Sequence, residues 1–112
     1  MIRAALILMV LPLSARAEVP DYSGTWNAAC TKEAAEFAIT ITADGIDYYE
    51  STCTLSAPRP LPGFTAATQF TATCTGEGQE WVKPLILMSG ADGGLVMVDD
   101  GFAATYLRCD TR

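Results

Sequence analysis

Phe37-Ala38-Ile39-Thr40-Ile41-Thr42, then Asp44-Gly45, then Ile46 to Leu55 (Ile-Asp-Tyr-Tyr-Glu-Ser-Thr-Cys-Thr-Leu) is the stretch that decides the fold class. Its first six residues alternate apolar with small or polar side chains at period two, the pattern of a strand buried on one face. Asp-Gly between two such runs is a strong hairpin signal, so Ile46 to Leu55 is expected to return as the partner strand.

The same pattern extends outward in both directions. Gly24-Thr25-Trp26 opens a first strand, after a leader at Glu18–Ser23 that Pro20 and Asp21 keep irregular. Thr31 to Glu36 reads as a single helical turn capped by Thr31, or as a plain link. Three prolines at 58, 60 and 62 make Ala57 to Gly63 an exposed loop, because proline cannot donate to a ladder. Phe64 to Thr75 alternates again, Gly76-Glu77-Gly78 turns, and Gln79 to Met88 forms a strand in which Pro84 implies an edge or a bulge. Ser89 to Gly94 and Asp99-Asp100-Gly101 are turns around a short strand at Leu95–Val98, and Phe102 to Cys109 closes the chain. About seven short strands with almost no helix predict an all-β domain. It is an antiparallel meander closed as a barrel or folded as a two-layer sandwich.

Composition narrows the function classes. Half of the 112 residues are apolar, but many lie in Met1 to Ala17. There a basic start, an apolar run from Ala4 to Leu13 and Ala15-Arg16-Ala17 have the layout of a cleaved secretory signal peptide. Cleavage leaves a single domain at 18–112, with five basic against thirteen acidic residues and a formal charge of −8. A periplasmic or secreted location follows. No later run approaches the roughly 20 apolar residues that a membrane-spanning helix needs. The acidic balance argues against nucleic acid and favours a basic protein partner, and a monomer is expected. The absence of histidine removes the usual general base and the commonest zinc ligand. No cofactor or metal is called for. A chain of this size buries roughly 60–70% of its unfolded surface, so covalent staples help it.

Cys30, Cys53, Cys74 and Cys109 supply them as two disulfides. Their spacings of 23, 21 and 35 contain no Cys-x-x-Cys pair, which speaks against a zinc or redox site. Strand order favours Cys30–Cys53 with Cys74–Cys109. Cys30–Cys109 with Cys53–Cys74 is the main competitor.

Few residues suggest chemistry. With a two-residue Asp44-Gly45 turn, Ile41 faces Tyr48 and Ile39 faces Glu50. This turns the Glu50 carboxylate toward an apolar face, where Arg108 could pair with it. A three-residue turn with a glycine bulge sends Glu50 to the opposite face instead. Trp26 near the start and Arg108 near the end come together if the sheet closes, and the guanidinium then stacks on the indole and caps one end of the barrel. Trp81 follows a glycine-rich turn that is acidic and leads into a strand, unlike a phosphate cradle. Asp99-Asp100-Gly101 and Ala91-Asp92-Gly93 lack EF-hand spacing. No nucleophile–base pair can be named, so an enzyme is not expected.

On Gly24-Thr25-Trp26, Cys30, Ile39-Thr40-Ile41-Thr42, Tyr49-Glu50-Ser51-Thr52-Cys53, Cys74-Thr75-Gly76-Glu77-Gly78 and Tyr106-Leu107-Arg108-Cys109, the chain resembles a group of small exported four-cysteine proteins of Gram-negative bacteria. That resemblance implies a compartment and a disulfide framework but no reaction. Gly24-Thr25-Trp26 with Arg108 is also similar to calycin-like barrels, including their bacterial metalloprotease-inhibitor branch. The latter implies that Glu18–Ser23 enters a protease cleft, although Thr31 to Glu36, Cys74 and Cys109 depart from its pattern. The leading expectation is an exported, disulfide-stapled binding module acting by protein–protein contact, with enzyme inhibition as one form. The alternatives are a small-ligand carrier with Tyr48, Phe70, Trp81 and Tyr106 lining a pocket, and an enzyme dependent on Glu50.

Overall fold

A computed structural model describes residues 4–5 and 19–110. The signal peptide expected at 1–17 lies outside the described residues apart from Ala4 and Ala5. Eight strands follow in order: β1 Gly24–Asn27, β2 Ile39–Ile41, β3 Gly45–Asp47, β4 Thr52–Pro60, β5 Ala67–Gly76, β6 Gln79–Ser89, β7 Leu95–Asp99 and β8 Phe102–Arg108. Each pairs antiparallel with its sequence neighbour, and β8 pairs with β1, so the meander closes into a barrel. The choice between barrel and sandwich is thereby resolved, with one strand more than the sequence implied.

Closure follows from the period-two pattern. One parity of each strand points inward: Trp26, Ile39, Ile41, Ile46, Phe70, Ala72, Leu85, Leu87, Leu95 and Met97 are all buried. The other parity carries the exposed threonines at 40, 52, 54, 73 and 75. Burying each large aliphatic side chain stabilises the fold by roughly 1.5–3 kcal/mol.

Several local expectations are corrected. The β2–β3 turn is Ala43-Asp44, closed by Thr42 N–H donating to Gly45 O at 2.9 Å, and Ile41 therefore faces Ile46. Gly45 is used inside β3 instead, because any Cβ there would collide with the Cys53 carbonyl. Ile46 to Leu55 is two strands: Tyr48 N–H donates to Ser51 O at 2.8 Å, and the chain reverses through Tyr49-Glu50. Phe37 leaves the strand and ends a 3-10 turn at Ala35–Phe37.

Only the end of the proline-rich stretch is a loop: β4 runs through Pro60, and the chain turns at Leu61 to Gly63. A bulge between Ser56 and Arg59, with Ala57 at φ 52°, flips the hydrogen-bonding phase of the strand. Before it, Leu55 N–H faces β3 and bonds Asp44 O; after it, Leu61 N–H faces β5 and bonds Ala67 O. Pro58 and Pro60 thus turn their donor-less nitrogens to the side that β3 has already left.

The disulfides are Cys30–Cys109 and Cys53–Cys74, so the pairing favoured from strand order is replaced by its competitor. The cause is register. Cys53 and Cys74 are direct cross-strand partners on β4 and β5, and both point into the core. Cys30 meets Cys109 just past the β8–β1 junction, where Cys109 N–H donates to Thr25 O at 2.8 Å. Two disulfides, with no described helix long and apolar enough to cross a membrane, are compatible with a periplasmic or extracellular location.

The described leader residues, 19–23, form no regular element, yet they pack onto the barrel. Tyr22 is buried, sits edge-on to Phe70 at 6.3 Å, shares a 2.9 Å hydrogen bond with Thr68 and donates to Ala66 O at 3.2 Å. Residues 19–23 close one end of the barrel, here called the lower end, which also holds the β2–β3, β4–β5 and β6–β7 connections. The upper end holds the β1–β2 connection and the turns β3–β4, β5–β6 and β7–β8.

Candidate functional site at the upper end

Turns at the upper end bring together residues that lie far apart in sequence. Asn27, buried at the end of β1, donates from Nδ2 to Ala34 O at 2.7 Å. Thr31 Oγ1 accepts from Ala34 N–H at 3.3 Å just ahead of the 3-10 turn, whose own N-cap, Ala34, makes no side-chain cap bond. These bonds fix the short 3-10 turn, and Phe37 at its end packs against Tyr49 with ring centroids 5.2 Å apart. Both rings stay more than half exposed, at 55% for Phe37 and 57% for Tyr49. An exposed, mutually supported aromatic pair is an uncommon use of apolar surface and a frequent property of contact sites.

Next to Tyr49 in the same turn is Glu50. Gly76 allows this turn to settle onto the β5–β6 hairpin, since a Cβ there would lie 2.7 Å from Glu50 O and 2.8 Å from Ser51 Cβ. The hairpin turns through Glu77 (φ 49°) and Gly78 (φ 76°), the two positive φ values that a twist-matched two-residue turn requires. Glu77 is a poor residue for that conformation, yet the turn delivers its carboxylate to Glu50. A hydrogen bond that protonated Glu50 donates to the Glu77 carboxylate, and then the like charge of Glu77, raise the Glu50 pKa above the ordinary carboxylate value. Glu50, Ser51, Gly76, Glu77, Gln79 and Trp81 line a polar groove of about 190 Å³. Glu50 accordingly neither faces Ile39 nor meets Arg108.

Behind this rim the barrel mouth holds an ion pair that points inward. Lys83 Nζ lies 2.8 Å from Asp99 Oδ2 and 5.6 Å from the centre of the Tyr48 ring. Tyr48 Oη reaches Met97 Sδ at 3.4 Å. Burial, followed by the neighbouring Tyr106 and the Asp99 charge, pushes the Tyr48 pKa up to about 12. Burial and Asp99 also raise Tyr106. The pair neutralises itself and plugs the mouth. Its signal was in the parity of the strands: Lys83 alternates with Leu85 and Leu87, and Asp99 with Leu95 and Met97. Glu77 and Phe37 carried no comparable signal.

The other residues singled out from sequence fall elsewhere. Trp26 and Arg108 are direct partners across β1 and β8, with the guanidinium carbon 4.3 Å from the indole centre. Arg108 also donates to Ser23 O at 3.1 Å, and Trp26 Nε1 donates to Tyr22 O at 3.0 Å. These bonds tie residues 22–23 to the barrel wall, so the arginine is a brace. Tyr48, Phe70, Trp81 and Tyr106 do not share one pocket: Phe70 lies in a lower-end cleft, Trp81 in the polar groove, and both tyrosines pack against the core. Asp99 is committed to Lys83. Among the described residues no three acidic or cysteine side chains gather closely enough to hold a metal ion.

No family model matches the chain, and neither a curated protein nor a solved structure is significantly similar to it.

Proposed function

We propose that this protein is an exported binding module that acts by protein–protein contact through the upper end of its barrel, and that inhibition of a partner enzyme is one form of that contact. The observation that carries the reading is the exposed Phe37–Tyr49 pair set beside the Glu50–Glu77 carboxylates. Aromatic faces and carboxylates together recognise lysine and arginine side chains, by cation–π attraction and by charge-assisted hydrogen bonds. The formal charge of −6 over the whole chain steers toward the same class of partner. Two unfavourable local features, a glutamate at positive φ and two like charges in contact, meet at one place on the surface. A contact site gives both a purpose. The reading assigns no catalysis to the chain.

Affinity capture from periplasmic extract, repeated with Phe37→Ser/Tyr49→Ser and at rising salt, tests it. Wild-type capture that weakens with salt, and is lost in the double variant, supports it. Capture that ignores both overturns it.

A second reading, a carrier of small apolar ligands, has one observation in its favour. A lower-end cleft of about 290 Å³ is lined by Ile41, Leu55, Phe70 and Leu87 beneath residues 19–23. An apolar fluorescent probe displaced by Leu55→Trp would favour this reading over the first.

A further inference from the structure

Among the described residues, the upper half of β6 has a strand on only one side. Its ladder with β5 runs from Gln79 to Met88, whereas its ladder with β7 covers only Leu85 to Ser89. The chain turns away into β8 at Asp100-Gly101, and Gln79 to Pro84 are left with an open edge. The phase of that edge can be read directly. Ser89 N–H donates to Ala66 O at 3.0 Å, so the odd-numbered residues of β6 bond β5 and the even-numbered ones face away. The open edge therefore presents the N–H and C=O groups of Glu80 and Val82 and the C=O of Pro84. Glu80 and Val82 are exposed, Val82 at 67%.

We infer that this edge is a strand-addition site for an extended segment of the protein partner bearing lysine or arginine. The inference rests on the binding reading above and specifies its surface and chemistry. An added strand would satisfy the free backbone groups, which gives affinity without requiring a sequence. Charge selects the kind of strand. Glu77 and Glu80 flank the upper part of the edge, and Asp100 stands where β7 departs, beside a shallow cleft of about 170 Å³ formed with Pro84 and Leu85. The nearest cation, Lys83, is turned inward and spent on Asp99. A second copy of the chain is a poor occupant, because it brings the same carboxylates, and Pro84 ends the run of donors.

The test uses the full chain and a short synthetic peptide alternating lysine and valine. A glutamate–valine analogue and a lysine–valine peptide methylated on alternate backbone nitrogens are the controls. Val82→Pro removes one open-edge donor without touching the β5 ladder, as Pro84 already does. Binding of the lysine peptide should slow hydrogen exchange at the Glu80 and Val82 amides, while the glutamate analogue does not bind. Val82→Pro should weaken binding by about tenfold, the worth of one lost hydrogen bond, and backbone methylation, which removes several, should weaken it further. No binding, or binding with unchanged exchange at these amides and full affinity in Val82→Pro, overturns the inference. In the latter case, loss of binding in Phe37→Ser/Tyr49→Ser leaves the contact reading standing. Protection of the edge that rises with protein concentration in the absence of peptide names a second copy as the occupant, and also overturns it.

Discussion

Removing the Cys53–Cys74 disulfide should cost about as much as removing Cys30–Cys109, although it closes a far shorter loop. The sequence separations are 21 and 79. In the chain-entropy model these correspond to about 3.3 and about 4.5 kcal/mol of restrained unfolded-state freedom. Burial then narrows the gap. Cys53 is 1% exposed and Cys74 fully buried, between Ile46 and Ala72 in the core, so Cys53→Ala/Cys74→Ala leaves unfilled space worth about 1 kcal/mol more. Cys30 is exposed and Cys109 half-buried, so Cys30→Ala/Cys109→Ala leaves no comparable void. Each loss is then about 4–5 kcal/mol, against a total of roughly 5–10 kcal/mol for a domain of this size. Denaturant unfolding of the two double variants measures both. Native-state reduction followed by alkylation and mass analysis adds a second readout, in which the more accessible Cys30–Cys109 bond should open first. A Cys53→Ala/Cys74→Ala variant within about 1 kcal/mol of wild type, or earlier opening of Cys53–Cys74, would refute the reasoning.

Replacing Arg108 with Met should destabilise the barrel by about 1–2 kcal/mol through loss of the stacking on Trp26 and of the bond to Ser23 O, and Lys should not restore it; denaturant titration and Trp26 fluorescence report both. Gly76→Ala should cost about 1–3 kcal/mol, because its Cβ meets the Glu50 carbonyl and forces the two turns apart; thermal unfolding checks it. The folded state holds the Glu50 proton to higher pH than the unfolded chain does. Its contribution is therefore complete below the ordinary carboxylate pKa and is lost as pH rises through the raised value; Glu77→Gln should flatten this dependence in melts between about pH 3 and 7. Tyr48 behaves likewise at the alkaline end: stability should fall as pH rises from about 10 toward 12, and Tyr48→Phe should remove that part of the loss.

The barrel was legible because burial on one face writes itself as alternation. Ile39-Thr40-Ile41, Phe70 to Cys74 and Leu95 to Met97 hold their parity in the structure as in the sequence. Two features hid from that reading. Tyr49-Glu50 turns without glycine, proline or asparagine, because the register that sets Ile46 against Cys53 and Cys53 against Cys74 outweighs local turn preference. The prolines at 58 and 60 are accepted in a strand because the bulge at Ala57 moves them onto its open side, which depends on where β3 ends. The site divides in the same way. The Trp26–Arg108 contact needed only closure, and the Lys83–Asp99 pair could have been found from parity. The meeting of Glu50 with Glu77, and of Phe37 with Tyr49, depends on how turns stack at the end of a barrel, which no spacing in the chain encodes.

The measurement that bears most directly on the account is the affinity of a captured partner for wild type, for Phe37→Ser/Tyr49→Ser and for a lower-end control, Val19→Ser. All three should be titrated at low and at physiological salt. The upper-end variant should bind about a hundredfold more weakly, as expected when two contact aromatics are lost, while the control matches wild type and added salt weakens both. Unchanged binding by the upper-end variant, with loss in the control, would contradict the claim that this end of the barrel is where the protein works.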